Sequence, residues 1–244
     1  MKLRSTAAAV AIAATATMGL AACGGEEAPK AKDAWNASQE SAGKYKSMEI
    51  KGSGKSSGKP ANVNVKGDVD GDPQTFGGEL EGGKMEAVLV GNKAYIKGDS
   101  TYWKSLSGGS SATSAMASLM ADKWVASPNN DAGSADDTLK SLVKELKDDN
   151  NESNKKLLSD KATVTEDKVD GKDAWKIESE DKKVTAWVSK EDTRDVLKVE
   201  GWEAKNSSSS SNDQMTTVTF VSHDKDYGIK APSGAKKMTD LIKG

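Results

Sequence analysis

An α+β fold, a strongly curved and incompletely closed antiparallel sheet packed on a central helical insert, is what the sequence predicts, on three observations. Apolar and polar residues alternate strictly in both halves of the chain, the period of strands with one buried face. Turn signals such as Gly82-Gly83, Gly91-Asn92 and Asp170-Gly171 separate these stretches by only a few residues, so neighbouring strands form antiparallel hairpins. Between the two halves the period becomes helical, and so long a sheet must bury one face against those helices.

Residues 34–45 come first, a weakly amphipathic helix of Ala34, Trp35, Ala37, Ser38, Ala42 and Tyr45 with Asp33 as its N-cap. Strands follow. Met48, Ile50 and Gly52 alternate with polar neighbours, and Val63, Val65, Gly67 and Val69 alternate with Asn64, Lys66, Asp68 and Asp70. Residues 74–81, 84–90 and 93–98 add three more strands, where glycines and β-branched residues exclude helices. After the flexible run Ser107–Ser111, Ala112, Met116, Leu119, Met120 and Lys123 share one helical face. Beyond Pro128-Asn129-Asn130, Ser134 caps a helix carrying Leu139, Leu142, Val143 and Leu146 at i, i+3, i+4 and i+7. Residues 152–159 add a turn or two.

Strands return at 162–169, 173–180, 183–189, 195–204 and 214–222, giving about ten in all. Asp181-Lys182 marks a further tight turn, and the serine-rich run Asn206–Asp213 is a solvated loop. Trp187 falls on the face opposite Val184, Ala186 and Val188; Trp202 shares a face with Lys198 and Glu200, opposite Leu197 and Val199. Both faces of the sheet therefore carry apolar groups. Ala235–Ile242 closes the chain as a short helix with Met238, Leu241 and Ile242 on one side.

The N-terminus has a different logic. Met1-Lys2-Leu3-Arg4 is basic, Thr6 to Leu20 is apolar, and small residues precede Cys23, the only cysteine of 244 residues. Basic, apolar, small is the layout of a secretory signal, and the apolar part is too short to span a membrane. Leu20-Ala21-Ala22-Cys23 resembles the lipobox of bacterial lipoproteins at all four residues. That resemblance implies a diacylglyceryl group on the Cys23 thiol, cleavage between Ala22 and Cys23, and acylation of the new amine by a fatty acid such as palmitate. Residues 1–22 are then a signal peptide, 23–33 a lipidated tether and 34–244 a single domain. Two or more acyl chains give durable anchoring, at about 0.8 kcal/mol per buried CH₂. The tether spans about 17–19 Å as a random coil, holding the domain at the outer face of the cytoplasmic membrane.

Without Lys2 and Arg4, the mature chain keeps 33 of the 35 basic residues against 37 acidic ones, a net charge near −4. Nucleic acid is a poor partner for that balance, and the acyl chains rather than surface charge must hold the membrane. A single acylated cysteine leaves no intramolecular disulfide and no thiolate metal site.

Catalytic motifs fail on counting. Gly52-Ser53-Gly54-Lys55-Ser56 lacks the earlier glycine of a phosphate loop, Glu49 standing in its place. Asp68, Asp70, Asp72 and Glu79 mimic a calcium loop, but Pro73 occupies the obligatory glycine position. His223 is the lone histidine, and no Gly-x-Ser-x-Gly elbow supplies it a nucleophile. Ser56-Ser57-Gly58-Lys59 has a Ser-x-x-Lys spacing without a Lys-Thr-Gly partner. The expectation is a protein that is not an enzyme and uses no cofactor or metal. What remains is the apolar helix of Met116, Leu119 and Met120, because methionine adapts its shape to variable apolar ligands. Its plainer reading is core beneath the sheet.

Val169-Asp170-Gly171-Lys172-Asp173-Ala174-Trp175-Lys176-Ile177, Thr185-Ala186-Trp187-Val188-Ser189 and the earlier Val90-Gly91-Asn92-Lys93-Ala94-Tyr95-Ile96-Lys97, with Trp103 and Lys123-Trp124-Val125, form a diffuse pattern across the mature chain. It resembles the LppX/LprAFG lipoproteins of actinobacteria, similar in turn to the LolA/LolB carriers. The resemblance implies a half-barrel over helices with an apolar cavity between them, binding acylated lipids for transfer through the envelope. Met116, Leu119, Met120 and Trp124 are the candidate pocket residues. The scarcity of Phe and Leu also fits a small closed core, so the alternative is an envelope scaffold or sensor that binds another surface protein.

Overall fold

Short hairpins dominate because the chain alternates and turns at glycine. The computed structural model describes residues 27–56, 58–91, 93–106, 111–127, 138–202, 214–237 and 240–241. α1 (Ala31–Ala42) precedes β1 (Ser47–Ser56), β2 (Lys59–Asp68), β3 (Gln74–Leu80), β4 (Gly83–Val90) and β5 (Lys93–Gly98), which pair in sequence order as an antiparallel meander. Next come α2 (Ser100–Leu106), α3 (Ser111–Met120), the two-residue β6 (Val125–Ala126), α4 (Thr138–Leu146) and α5 (Glu152–Leu157). The second meander is β7 (Thr163–Val169), β8 (Lys172–Glu178), β9 (Thr185–Ser189), β10 (Val196–Glu200) and β11 (Gln214–His223), followed by β12 (Lys236–Lys237).

All of these strands lie in one 12-stranded sheet, ordered β12-β6-β5-β4-β3-β2-β1-β11-β10-β9-β8-β7. The two halves join where β1 pairs antiparallel with β11, Met48 opposite His223 and Lys55 opposite Gln214. β7 and β12 are the edges, so the sheet is open, and the described pairings are antiparallel apart from β12 with β6. This is the α+β, half-barrel type of architecture expected, with two more strands than predicted, both of two residues.

The helices cover one face in two groups. Trp35 of α1, Leu139 and Leu146 of α4, and Leu157 of α5 pack on Met48, Ile50, Val65, Ile177 and Val188 to make the main core. Each such fully buried large side chain contributes about 1.5–3 kcal/mol. Tyr102 and Trp103 of α2, Ala117 and Met120 of α3, and Val125 of β6 make a second core. α2 seats this closely because β4 and β5 offer glycine beneath it. A Cβ on Gly83 would lie 2.3 Å from the Tyr102 nitrogen, and one on Gly98 2.3 Å from Tyr102 Cδ1.

Several local expectations need correcting. The first helix starts at Ala31, because Ala31, Ala34, Trp35, Ser38 and Ala42 form one buried stripe; Asp33 is an acid of the first turn, not the N-cap. α2 was not foreseen, although Asp99 caps it: its carboxylate accepts from the amides of Tyr102 (2.8 Å) and Lys84 (3.0 Å). Burial would raise the Asp99 carboxyl, yet these backbone N–H groups hold it below its ordinary value. Lys123 lies beyond α3, where Asp122 takes a positive φ of 59°.

At the C-terminus, Lys236-Lys237 forms β12 in place of the helix expected over 235–242, since Lys236 N–H donates to the Trp124 carbonyl (2.9 Å) and pairs beside Val125. Among the described residues there, Asp240 and Leu241 are helical, while Met238 and Ile242 lie outside the described residues. The expected Ser134 cap and Asn206–Asp213 loop also lie outside them.

Trp202 is also reassigned. A register shift between Val196 and Lys198 and the left-handed Gly201 (φ 71°) reset the alternation. Val196, Val199 and Trp202 therefore belong to the main core, while Leu197 joins Trp187, Ala174 and Val169 in a small cluster on the other face. Trp187 is on the face predicted for it, closed over by Lys198, whose Nζ lies 4.8 Å from the ring centroid, and donating from Nε1 to Asp167 (2.8 Å).

Candidate functional site

Between the two cores the helix-facing side of the sheet is only partly covered. Cross-strand pairing aligns Val63, Gly78, Met85 and Gly98 in one row and Val65, Phe76, Ala87 and Ile96 in the next row on the same face. None of these residues is charged. The rows on the opposite face read Asn62, Glu79, Lys84 and Asn64, Gly77, Glu86, Lys97. Period-2 alternation thus sorts charge to one side and apolar groups to the other.

Val65 is buried in the main core, and Phe76 packs against it from a half-buried position. Met85 and Ile96 pack, also half-buried, against the second core. Val63 and Ala87 are half-buried between them. The result is an apolar strip of Val63, Phe76, Met85, Ala87 and Ile96 running from the α4 side to the α2–α3 side. Its chemistry is shape-adaptable and uncharged, suited to hydrocarbon rather than to polar substrates.

The candidate pocket residues divide. Met120 is 7% exposed inside the second core, and Met116 packs against that core from a half-buried position. Leu119 turns outward, 47% exposed. Trp124 is half-buried, with Lys97 Nζ 5.9 Å from its ring centroid. Met116 and Met120 both approach the strip, through the core against which Met85 and Ile96 pack. Phe76, Met85, Ala87 and Ile96 were missed as a group, although their alternation was the signal. The lipidation and cleavage residues Cys23 and Ala22 lie outside the described residues.

Two surface cavities open on the first meander. One of about 430 Å³ is lined by Lys84, Glu86, Lys97, Asp99 and Asp122 with Met85 among them, and one of about 400 Å³ by Lys51, Ser53, Asn62, Asn64, Thr217 and Thr219 with Val63 among them. Among the described residues no group of three or more His, Cys, Asp or Glu side chains could hold a metal ion. No described helix is long and apolar enough to cross a membrane.

His223 sits in a carboxylate clamp at the other end of the sheet. Its Nε2 is 3.1 Å from Asp195 and its Nδ1 3.0 Å from Asp224, and the ring stacks on Tyr45 at 4.2 Å. Ser41 Oγ and Tyr45 OH donate to the other oxygen of Asp195 (2.7 and 2.8 Å). Burial raises the Asp195 carboxyl, but donors Ser41, Tyr45 and Thr193 and the neighbouring His223 bring it below its ordinary value. Burial, then the bond to Asp195, pushes the Tyr45 phenol well above its ordinary value. The serine donates to the aspartate and not to the imidazole, so no nucleophile is activated here. The cluster ties the end of α1 to β10 and β11.

The crystal structure of LprF from Mycobacterium bovis matches this architecture with a TM-score of 0.51 at 12% identity, covering 84% of this chain and 98% of that one. At that identity the likeness establishes the fold. The half-barrel expected from the resemblance to the LppX/LprAFG proteins, among which LprF is numbered, is the fold the chain has. No family model matches the chain, and no curated protein matches it in sequence.

Proposed function

We propose that the protein is a lipid-anchored, extracytoplasmic lipoprotein that binds an acylated lipid and helps transfer it through the cell envelope. The uncharged strip of Val63, Phe76, Met85, Ala87 and Ile96, half-buried between two helical groups, carries the reading. The LprF-like fold and the lipobox at Cys23 support it. Acyl chains would leave the bilayer for the strip while the headgroup stays in water, an exchange near equilibrium that calls for no cofactor, metal or catalytic residue. The clean separation of apolar and charged faces lets one sheet do both tasks.

Native mass spectrometry of the chain extracted from membranes tests it. Co-purified lipid, exchangeable with added vesicles, is the expected result. Absence of bound lipid before and after incubation with phospholipid vesicles would overturn the carrier role.

A second reading, an envelope scaffold or sensor binding another surface protein, draws on a different observation: Met120, Tyr102 and Trp103 fill the second core. It predicts a cross-linked protein partner and no bound lipid.

A further inference from the structure

We infer that the face of the sheet turned away from the helices carries a second binding site, a hollow floored at Gly77 that takes the hydroxyl-rich units of an uncharged polysaccharide. Register builds it. On that face Thr219 of β11, Lys51 of β1, Asn64 of β2 and Gly77 of β3 lie in one row, and Thr217, Ser53, Asn62 and Glu79 in the next. Between them lies the cavity of about 400 Å³, within the size range of small-molecule sites. Gly52, Val63 and Gly78 also line it; the Val63 side chain alternates to the helix-facing side, so these three contribute main chain.

Gly77 opens the hollow. Its neighbour Gly78 is required by close approach, since a Cβ there would lie 2.0 Å from the Asn62 carbonyl oxygen. At Gly77 a Cβ would meet nothing within 4 Å, and the backbone is not left-handed. Neither packing nor conformation asks for glycine there, and glycine weakens a strand interior. Its effect is to leave the floor bare between Asn64 on one side and Glu86 on the other.

The surroundings choose the ligand. Lys51 and Lys66 stand against Glu49 and Glu79 on the same face, so the hollow offers no net charge to an ion. Asn64 Nδ2 donates to Glu49 Oε1 (3.0 Å), while Asn64 Oδ1 is buried with no partner. An acceptor left this way favours a ligand that brings O–H groups over one whose oxygens are all charged. Sugar hydroxyls donate and accept at once, which suits the two amides and the hydroxyls of Ser53, Thr217 and Thr219. The C–H face of a sugar ring suits a floor of glycine main chain and threonine methyls. The second cavity, of about 430 Å³, shares Gly78 with the first and continues over β3, β4 and β5 with charges of both signs, Lys84 and Lys97 among Glu79, Glu86 and Asp99. From β11 to β5 the face spans about 24 Å, room for several sugar units in a row. This site lies on the other side of the sheet from the strip and stands whether or not lipid is carried.

The test applies the full lipoprotein, purified from membranes in detergent, to an array of neutral, amino and acidic oligosaccharides, and then titrates it with the neutral member bound best. Binding to neutral members is expected. Gly77→Gln, which fills the floor, should weaken it about tenfold or more, as should Thr219→Val combined with Asn62→Ala, with circular dichroism and unfolding midpoint unchanged. Ala87→Phe, on the helix-facing side, should leave sugar binding as it is. If Gly77→Gln does not fold, the Thr219→Val and Asn62→Ala pair decides in its place. No binding on the array, a preference for acidic members, or binding that survives the hollow variants would each overturn the site. Loss with Ala87→Phe alone would overturn it too, because the sugar would then belong to a ligand of the strip. Lipid analysis of the same preparation separates the readings: sugar binding without lipid removes the carrier role alone, and lipid without sugar binding removes this site alone.

Discussion

Trp35 Nε1 donates to Asn154 Oδ1 at 3.2 Å, joining α1 to α5 across 119 residues of sequence. The amide of Asn154 donates in turn to the carbonyls of Glu145, Leu146 and Asp148 (2.8–2.9 Å). Gln39 Nε2 adds a bond to the Leu146 carbonyl. One buried side chain therefore satisfies the C-terminal carbonyls of α4 and orients the largest side chain of the main core. Asn154→Ala should cost about 2–4 kcal/mol, because it orphans a buried indole N–H and several carbonyls together. Denaturant unfolding followed by tryptophan fluorescence measures it; a loss below about 1 kcal/mol would mean water replaces the amide.

Gly201→Ala should unseat Trp202. The added Cβ would lie 1.7 Å from the Lys183 carbonyl oxygen, at a φ of 71° that side chains adopt at a penalty. Either the β9–β10 ladder or the Trp35–Trp202 contact must open, and the variant should lose more than about 2 kcal/mol. A red-shifted tryptophan emission with lowered unfolding midpoint is the expected signature. An unchanged spectrum and midpoint would show that the backbone there relaxes freely.

That glycine also marks where sequence reading ends. Strands β3, β4 and β5 were legible to within two residues because alternation and glycine turns are local. The face of Trp202 was not, since a bulge and one left-handed residue together reverse the count. α2 hid because Tyr102 and Trp103 are adjacent and both buried, which obscures any helical stripe over seven residues; only the Asp99 cap signalled it. β12 depends on pairing with Val125 more than a hundred residues away. The apolar side of the strip could be read from alternation, but its division between two cores depends on where α2 and α4 land.

The clamp at Asp195 predicts the acid limb of stability. Its carboxyl is held below the ordinary 3.8 in the folded chain, so the unfolded chain binds the proton more readily. The stabilisation is complete above about pH 4 and is lost as pH falls through the lower, folded value. Asp195→Asn should flatten that part of the pH–stability curve. At the alkaline limb Tyr45 acts with the opposite sense: its raised phenol keeps its proton when the unfolded tyrosine ionises above 10.0, so stability should decline from there upward. Unfolding midpoints measured from pH 2 to 11 check both limbs, and a Tyr45→Phe variant with an unchanged alkaline limb would remove the second.

Met120 and Leu119 are adjacent in sequence yet should respond differently. Met120→Ala empties a packed position and should cost about 2–5 kcal/mol. Leu119→Ala touches water and should stay within about 0.5 kcal/mol. If lipid occupied the second core itself, Met120→Ala would instead be tolerated and bound lipid would change. Thermal unfolding with lipid analysis on the same samples distinguishes these outcomes.

Ala87 is the most economical place to test the strip without disturbing its neighbours. It is half-buried between Phe76 and Ile96 on the helix-facing side, so a larger side chain there takes up room an acyl chain would use. Ala87→Phe adds apolar area at a position not fully enclosed, and should leave the unfolding midpoint within the range of tolerated swaps, about 1.5 kcal/mol. Under the carrier reading it should reduce co-purified lipid and slow exchange with vesicles. Cys23→Ala gives the complementary result: the fold and the strip persist, while membrane retention or signal processing fails. A chain that kept its lipid with Ala87→Phe, or its membrane fraction and processing with Cys23→Ala, would break the link between strip or anchor and function. Measured together, the two variants separate holding the membrane from holding a lipid, and only a carrier needs both.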